Sequence, residues 1–327
     1  MTVAPALVIS LDFELHWGVY DLWSVAEYRA NLLGARTAVP AMLALFAEHG
    51  IHATWATVGG LCCEDRRELL EVAPPRLGPC LARAGVGEDE RDDPFHFAPS
   101  LVRRIADTPH QEVGTHTFSH YCCLEAGGSP ADFRDDLQAA VQVMLRRLGT
   151  RPRSIVFPRN QGHAACLAVC REFGLVAYRG NPRGWLHAAR PRHAESPVRR
   201  AVRLADAYLP LAGTMAYRPV DLPDAPVANV PASRYLRPWS PRLRPLERLR
   251  RHRITADLEH AARHGLTYHL WWHPHDFGAH LAENLALLRH LLRRFIFLRE
   301  TYGMESLTMA EAAARLVAAM PAVSAAS

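Results

Sequence analysis

Short apolar stretches rich in β-branched and aromatic residues recur along the chain. Between them run longer segments whose apolar residues return every three or four positions, the pattern of strands alternating with amphipathic helices. Strands are predicted over Ala6–Glu14, Ile51–Val58, Glu112–His116, Ser154–Phe157, Leu175–Tyr178 and Leu266–Trp272, each bounded by Gly, Pro or polar residues. The clearest helix is predicted from Pro130 to Leu148, with Phe133, Leu137, Ala140, Val141, Met144, Leu145 and Leu148 at helical spacing. Ser129 and Asp132 form a capping-box pair before it, Pro130 suits the first helical position, and Gly149 suits the position just past the end. A second helix, Leu281 to about Tyr302, places Leu285, Leu288, Leu292 and Phe295 on one face. Such alternation belongs to the α/β class, a parallel sheet or barrel with crossover helices.

One stretch breaks the pattern. Arg183 to Arg253 is rich in Pro and Arg and holds 15 arginines against five acids, whereas the whole chain of 327 residues carries a formal charge of only +5. It reads as an Arg/Pro-rich insertion, 183-253, within a single barrel spanning 1-327. Its charge suits an anionic ligand, a membrane surface, a contact between copies in a homo-oligomer, or a solvated face. The chain has no lysine, which excludes Schiff-base chemistry, a P-loop and a protein-kinase site, all of which use that amine. Eighteen histidines favour metal or acid–base chemistry instead. Seven cysteines without a CxxC make a poor disulfide framework and a poor zinc ribbon. Cys166 and Cys170, on one helix face with His163, read as buried packing. The clean apolar runs are too short to span a bilayer, and the N-terminus lacks a basic leader region, so a soluble, cytoplasmic protein is expected. No nucleic-acid motif is present.

Three constellations carry chemistry. In Ser10-Leu11-Asp12-Phe13-Glu14, residues two apart share a strand face, so Asp12 and Glu14 stand together at the end of the first strand. Carboxylates on the buried side of an apolar strand need a cation; at an exposed strand end they need nothing. In His116-Thr117-Phe118-Ser119-His120, an HxxxH placed in a helical turn brings two imidazoles to one side, as zinc requires. In Tyr268-His269-Leu270-Trp271-Trp272-His273-Pro274-His275-Asp276, an imidazole closes the last predicted strand, where barrel active sites gather.

In this order, DxE, then HTFSH, then LxxH, the chain resembles the polysaccharide deacetylases of carbohydrate esterase family 4, over residues 1 to about 180 and 265 to 315. The resemblance implies an irregular (β/α) barrel of the polysaccharide deacetylase type and a hydrolase that removes an N-acetyl group from an amino sugar or glycoconjugate. It implies Glu14, His116 and His120 as ligands of a divalent metal, most suitably zinc, with Asp12 as base, His273 as acid and the Arg159 backbone N–H as oxyanion donor. The family's usual second aspartate falls on Phe13, so Glu14 becomes the metal carboxylate, as in the Asp-x-Asp/Glu branch that includes peptidoglycan deacetylase-like and allantoinase-like proteins. Which of Asp12 and Glu14 is the base stays open on this point. The usual Arg-x-Pro-Tyr motif stands as Val156-Phe157-Pro158-Arg159-Asn160 without its arginine, leaving Arg159 or Arg179 to orient Asp12.

Asn160, Arg179, Trp272 and His275 are further expected at the substrate, and Trp17, Trp185 and Trp271 could also stack on a sugar ring. The rival readings are an allantoinase-like amide hydrolase and a non-catalytic sugar-binding barrel. A cytoplasmic location points to a nucleotide-linked or lipid-linked precursor. A phosphate on that precursor would meet the insertion at Arg248, Arg250, Arg251 and Arg253.

Overall fold

The computed structural model describes residues 4–77, 85–125, 128–182, 186–188, 191, 194, 196–219 and 227–319. The six expected strands form as β1 (Ala6–Phe13), β2 (Ala53–Thr57), β3 (Gln111–Thr115), β4 (Ser154–Ile155), β5 (Ala177–Tyr178) and β8 (Thr267–Trp272). Three short strands were not expected: β6 (Ala228–Asn229) and β7 (Arg234–Tyr235), both within the Arg/Pro-rich stretch, and β9 (Glu305–Leu307). Their pairs are all parallel, in the order β6-β5-β4-β3-β2-β1-β8-β7, with β9 alongside β1. The result is a curled α/β half-barrel, as the sequence implied.

Alternation along β1 decides what the two faces do. Leu7, Ile9, Leu11 and Phe13 join the outer core, which includes Trp55, Leu270, Trp272 and apolar residues of helices α1 (Val25–His49) and α8 (Leu281–Tyr302). Val8 faces inward with Ala56, Val156, Ala177 and Val230, and Met309, Ala312 and Ala313 of the C-terminal helix (309–319) pack against them. Inward-facing Ser10 and Asp12 follow at the C-terminal end of the strand. Parallel strands align these ends, with Asp12 opposite Ala56 and Ala56 opposite Gly114, so the loops after them converge on one centre.

The helix at Pro130–Leu148, α4 in chain order after Arg66–Val72 (α2) and Pro99–Asp107 (α3), carries the expected capping box, and Gly149 takes the left-handed conformation at φ 69°. Cys166 and Cys170 are buried on the next helix, Ala164–Glu172 (α5), as expected for packing residues. Contrary to the reading from run lengths, α1 is long and apolar enough to cross a membrane; its Leu32, Ala35, Val39, Met42 and Phe46 are buried against the sheet's outer core. Midway along α1, Gly34 meets the backbone of Gly278 so closely that a Cβ would lie 2.3 Å from the Gly278 Cα. That contact seats the loop after β8, and the Asn31 amide fixes it further by donating to the His275 carbonyl at 3.1 Å.

Candidate active site

Asp12 is held by an arginine, and the structure chooses between the two offered by the sequence. Arg179, just after β5, donates to both Asp12 oxygens at 2.6 Å, while Arg159 pairs instead with Asp21 and Glu125. The same guanidinium donates to Ser10 Oγ at 3.1 Å and Asn160 Oδ1 at 3.0 Å, and its Cζ lies 4.1 Å from the centre of the Trp271 ring. Burial raises the Asp12 pKa, but Arg179 more than reverses this and leaves it below the usual carboxylate range. Asp12 is therefore ionised at neutral pH.

Behind this pair His269 sits fully buried, Nδ1 at 3.1 Å from the Val230 carbonyl and Nε2 at 2.8 Å from Ser10 Oγ. A carbonyl can only accept, so Nδ1 carries the proton and Nε2 receives the Ser10 hydroxyl. Burial, then Arg179, push the imidazole pKa down to about 3. The sign is that of an excluded proton: stability is fully present above the unfolded pKa of about 6.5 and is lost as pH falls toward 3, about 2 kcal/mol by pH 5. In chelator-treated protein, His269→Gln should therefore show a smaller fall in Tm between pH 7 and pH 5 than the wild type; equal falls would contradict this role.

Glu14, His116 and His120 form the second group, with their ligand atoms within 4.8 Å of one another and all three residues buried. Glu14 Oε2 lies 3.1 Å from His116 Nε2 and 3.2 Å from His120 Nε2. His116 Nδ1 donates to the Val156 carbonyl at 2.7 Å, which turns Nε2 toward Glu14, the arrangement that orients a metal-ligating histidine. The donor set, two imidazoles and one carboxylate, fits a divalent metal. Gly18 makes the cluster possible, because a Cβ there would lie 2.0 Å from the Glu14 carboxyl carbon.

The HxxxH segment is not helical, against expectation. Thr117 and His120 sit at φ 64° and 61°, in the left-handed region, so the chain turns too sharply for an α-helix. Buried Asp136 on α4 stabilises this turn by accepting from the Phe118 N–H at 2.6 Å and from the Ser119 hydroxyl. The two imidazoles still meet, ring centres 5.1 Å apart.

His273, just past β8, faces both carboxylates, its Nε2 3.6 Å from Glu14 Oε1 and 3.9 Å from Asp12 Oδ2. Its Nδ1 lies 2.8 Å from Asp276 Oδ2, and Tyr235 donates to the same carboxylate. Burial opposes charge on the ring, but Glu14 and Asp276 outweigh it and push its pKa up to about 10, so the imidazolium persists at neutral pH. His275 stacks on His273 at 5.0 Å and lies 4.0 Å from Glu14, but burial lowers its pKa, so it is neutral where His273 is charged. His273→Ala is accordingly expected to lower kcat/KM by about 10²- to 10⁴-fold and remove the basic limb of its pH profile. Metal content should stay unchanged, and His275→Ala should be the milder substitution; the reverse order would assign the acid to His275.

One expected substrate residue is placed differently. Trp272 points outward from β8 into the helix layer, buried against Phe46 and Phe277 with its N–H directed at Met42, so it cannot stack on a sugar. Period-two alternation gives the inward position to Trp271. Arg159 and Asn160 follow β4 at φ 55° and 54°, and Trp185 lies outside the described residues. Trp17, Tyr121, Asp21, Glu125 and Arg159 line a cavity of about 960 Å³ that opens onto His120.

Fold and site together define a hydrolase of amide bonds built on a (β/α) barrel. Residues 32–178 match the family model "Polysaccharide deacetylase". No curated protein sequence matches it. Among solved structures it is similar to one named as a polysaccharide deacetylase of Mycobacterium smegmatis, at 14% identity over 97% of this chain and 95% of that one, TM-score 0.58. It is also similar to PuuE allantoinase, at 13% identity over 98% and 92%, TM-score 0.54. A third, named as a polysaccharide deacetylase of Pseudomonas aeruginosa PAO1, matches at 11% identity over 98% and 92%, TM-score 0.54.

Proposed function

We propose that this protein is a zinc-dependent deacetylase that hydrolyses the N-acetyl group of an amino sugar or glycoconjugate precursor. The observation that carries the reading is the division of labour between two neighbouring carboxylates: Asp12 is bound to Arg179, whereas Glu14 faces two imidazoles. Glu14, His116 and His120 would hold the ion, and imidazole nitrogen favours zinc over magnesium or calcium, which prefer oxygen. When bound there, zinc supplies Lewis acidity toward the acetamide oxygen and toward water.

The chain's own groups do the rest. Asp12, ionised and fixed by Arg179, accepts a proton from the attacking water. His273, charged and oriented by Asp276, donates a proton to the nitrogen of the breaking C–N bond, so that a neutral amine departs. The Arg159 backbone N–H is the proposed donor to the oxyanion. The proposed cytoplasmic location favours a precursor over an extracellular polymer.

Acetate release from N-acetylated sugars, free, nucleotide-linked and lipid-linked, is the test, read with purified zinc-loaded protein. Release that requires Asp12 supports the reading. No acetate from any of them, with turnover of a small amide such as allantoin, would replace it by a small-molecule amidohydrolase.

A further inference from the structure

A second cavity of about 300 Å³ adjoins the site, and its wall includes Arg203, Arg234, Arg237, Asn181, Tyr235 and Trp271. Two of these groups already touch the catalytic machinery: Trp271 covers the Arg179 guanidinium, and Tyr235 donates to Asp276. Trp271 and Tyr235 thus join the wall of this cavity to the Arg179–Asp12 and Asp276–His273 pairs.

Its charge is distinctive. With Arg159 it is lined by four arginines and one carboxylate, Asp206. Arg234 is neutralised, 3.4 Å from Asp206 and 3.0 Å from Asp257, and Arg159 meets Asp21 and Glu125. Arg237 is different, since its guanidinium lies 5.6 Å from the centre of the Tyr235 ring and meets no carboxylate among the described residues. Arg203 donates to the Leu186 carbonyl at 3.3 Å. Asn160 offers its amide N–H groups, because its Oδ1 is occupied by Arg179. The larger cavity has the opposite balance, with Asp21, Glu125, Asp132, Asp135 and Asp136 against Arg76 and Arg159. An anion is drawn to the small cavity and repelled from the large one.

The arginines expected to meet an anion are placed elsewhere. Arg250 and Arg253 lie buried on the helix Glu247–Arg263, paired with Glu247 and Asp257, and Arg248 and Arg251 are exposed on the same helix.

We propose that the 300 Å³ cavity is an anion subsite that holds a phosphate of the substrate while its acetamido group lies at Asp12 and His273, with Arg237 as the principal contact. This rests on the deacetylase reading for its link to catalysis. Arginine's planar fork matches phosphate oxygens pairwise, and the cavity's volume, about ten waters' worth, accommodates a phosphate or diphosphate with part of a sugar.

The test has a binding arm and a kinetic arm. In the first, inorganic pyrophosphate is titrated calorimetrically into metal-free full-length protein, wild type, Arg237→Ala and Arg237→Lys. Binding weakened about tenfold or more in Arg237→Ala, the worth of one charge-assisted hydrogen bond, and partly recovered in Arg237→Lys, is the expected result. No binding, or equal binding by all three proteins, overturns the subsite. In the second arm, the ratio of kcat/KM for N-acetylglucosamine 1-phosphate to that for N-acetylglucosamine should exceed one in the wild type, shrink with added salt, and fall in Arg237→Ala. Arg237-dependent pyrophosphate binding without turnover of either sugar would leave the anion site standing and defeat the deacetylase reading; equal turnover of both sugars without pyrophosphate binding would do the opposite. An acetamido sugar joined through its phosphate to a short prenyl chain separates the sources: preference for it over the sugar 1-phosphate assigns a lipid headgroup, and the reverse assigns a soluble phosphate.

Discussion

Asp12→Asn is expected to lower turnover by about 10²- to 10⁴-fold, the usual contribution of a positioned general base, while metal content stays at that of the wild type. The amide keeps one oxygen for Arg179 but loses the electron pair that accepts the proton. Because Asp12 and Arg179 are both buried, the substitution also removes the partner of a buried charge, a change that costs several kcal/mol when nothing else receives the cation. Here Ser10 and Asn160 also accept from Arg179 and Trp271 covers it, so the arginine stays anchored. A lowered Tm with intact metal binding is thus part of the expected outcome, and activity is compared at a temperature where both proteins are folded. Loss of metal together with activity would exchange the roles of Asp12 and Glu14, and retained turnover would remove Asp12 from the chemistry.

The parts of this site that were legible in the sequence share a property: their signal is local. Alternation put Asp12 and Glu14 together, and the motifs HTFSH and LWWH name His116, His120 and His273 by short spacing. The same alternation could have settled the two tryptophans, since His269 and Trp271 share one face of β8 and Trp272 takes the other. What was not legible depends on partners distant in sequence. Arg179 could only be offered beside Arg159, because nothing near either shows which one crosses the barrel to reach Asp12, 167 residues away. Asp136 gave a weaker signal, a carboxylate one position before Leu137 on the apolar stripe of α4, and its role as acceptor for the Phe118 and Ser119 N–H groups belongs to the packing of that helix against the turn. In the Arg/Pro-rich stretch the strands β6 and β7 are two residues each, too short for any periodicity, and they exist because β5 and β8 offer them an edge.

His116→Ala and Glu14→Gln are expected to separate metal loss from loss of the base. His116 contributes an imidazole already oriented by the Val156 carbonyl, so alanine removes a preformed ligand and leaves two donors. Partners that merely orient a ligand are worth about 10- to 100-fold in metal affinity, and a ligand itself should be worth at least that much. Purified His116→Ala should therefore contain little metal and show little activity, and both should return together as zinc is added in excess. Glu14→Gln keeps the shape but removes the only negative charge among the three donors, so metal affinity should fall while Asp12 remains bound to Arg179 and ionised. Activity should then track metal occupancy during a zinc titration, approaching a sizeable fraction of wild-type turnover at saturation, whereas Asp12→Asn stays inactive at every zinc concentration. Elemental analysis of untagged protein and the zinc dependence of acetate release decide the matter. A Glu14→Gln protein that is fully metallated and inactive would make Glu14 the proton acceptor, and a metal-free wild type with full activity would show that the imidazole pair serves the substrate directly.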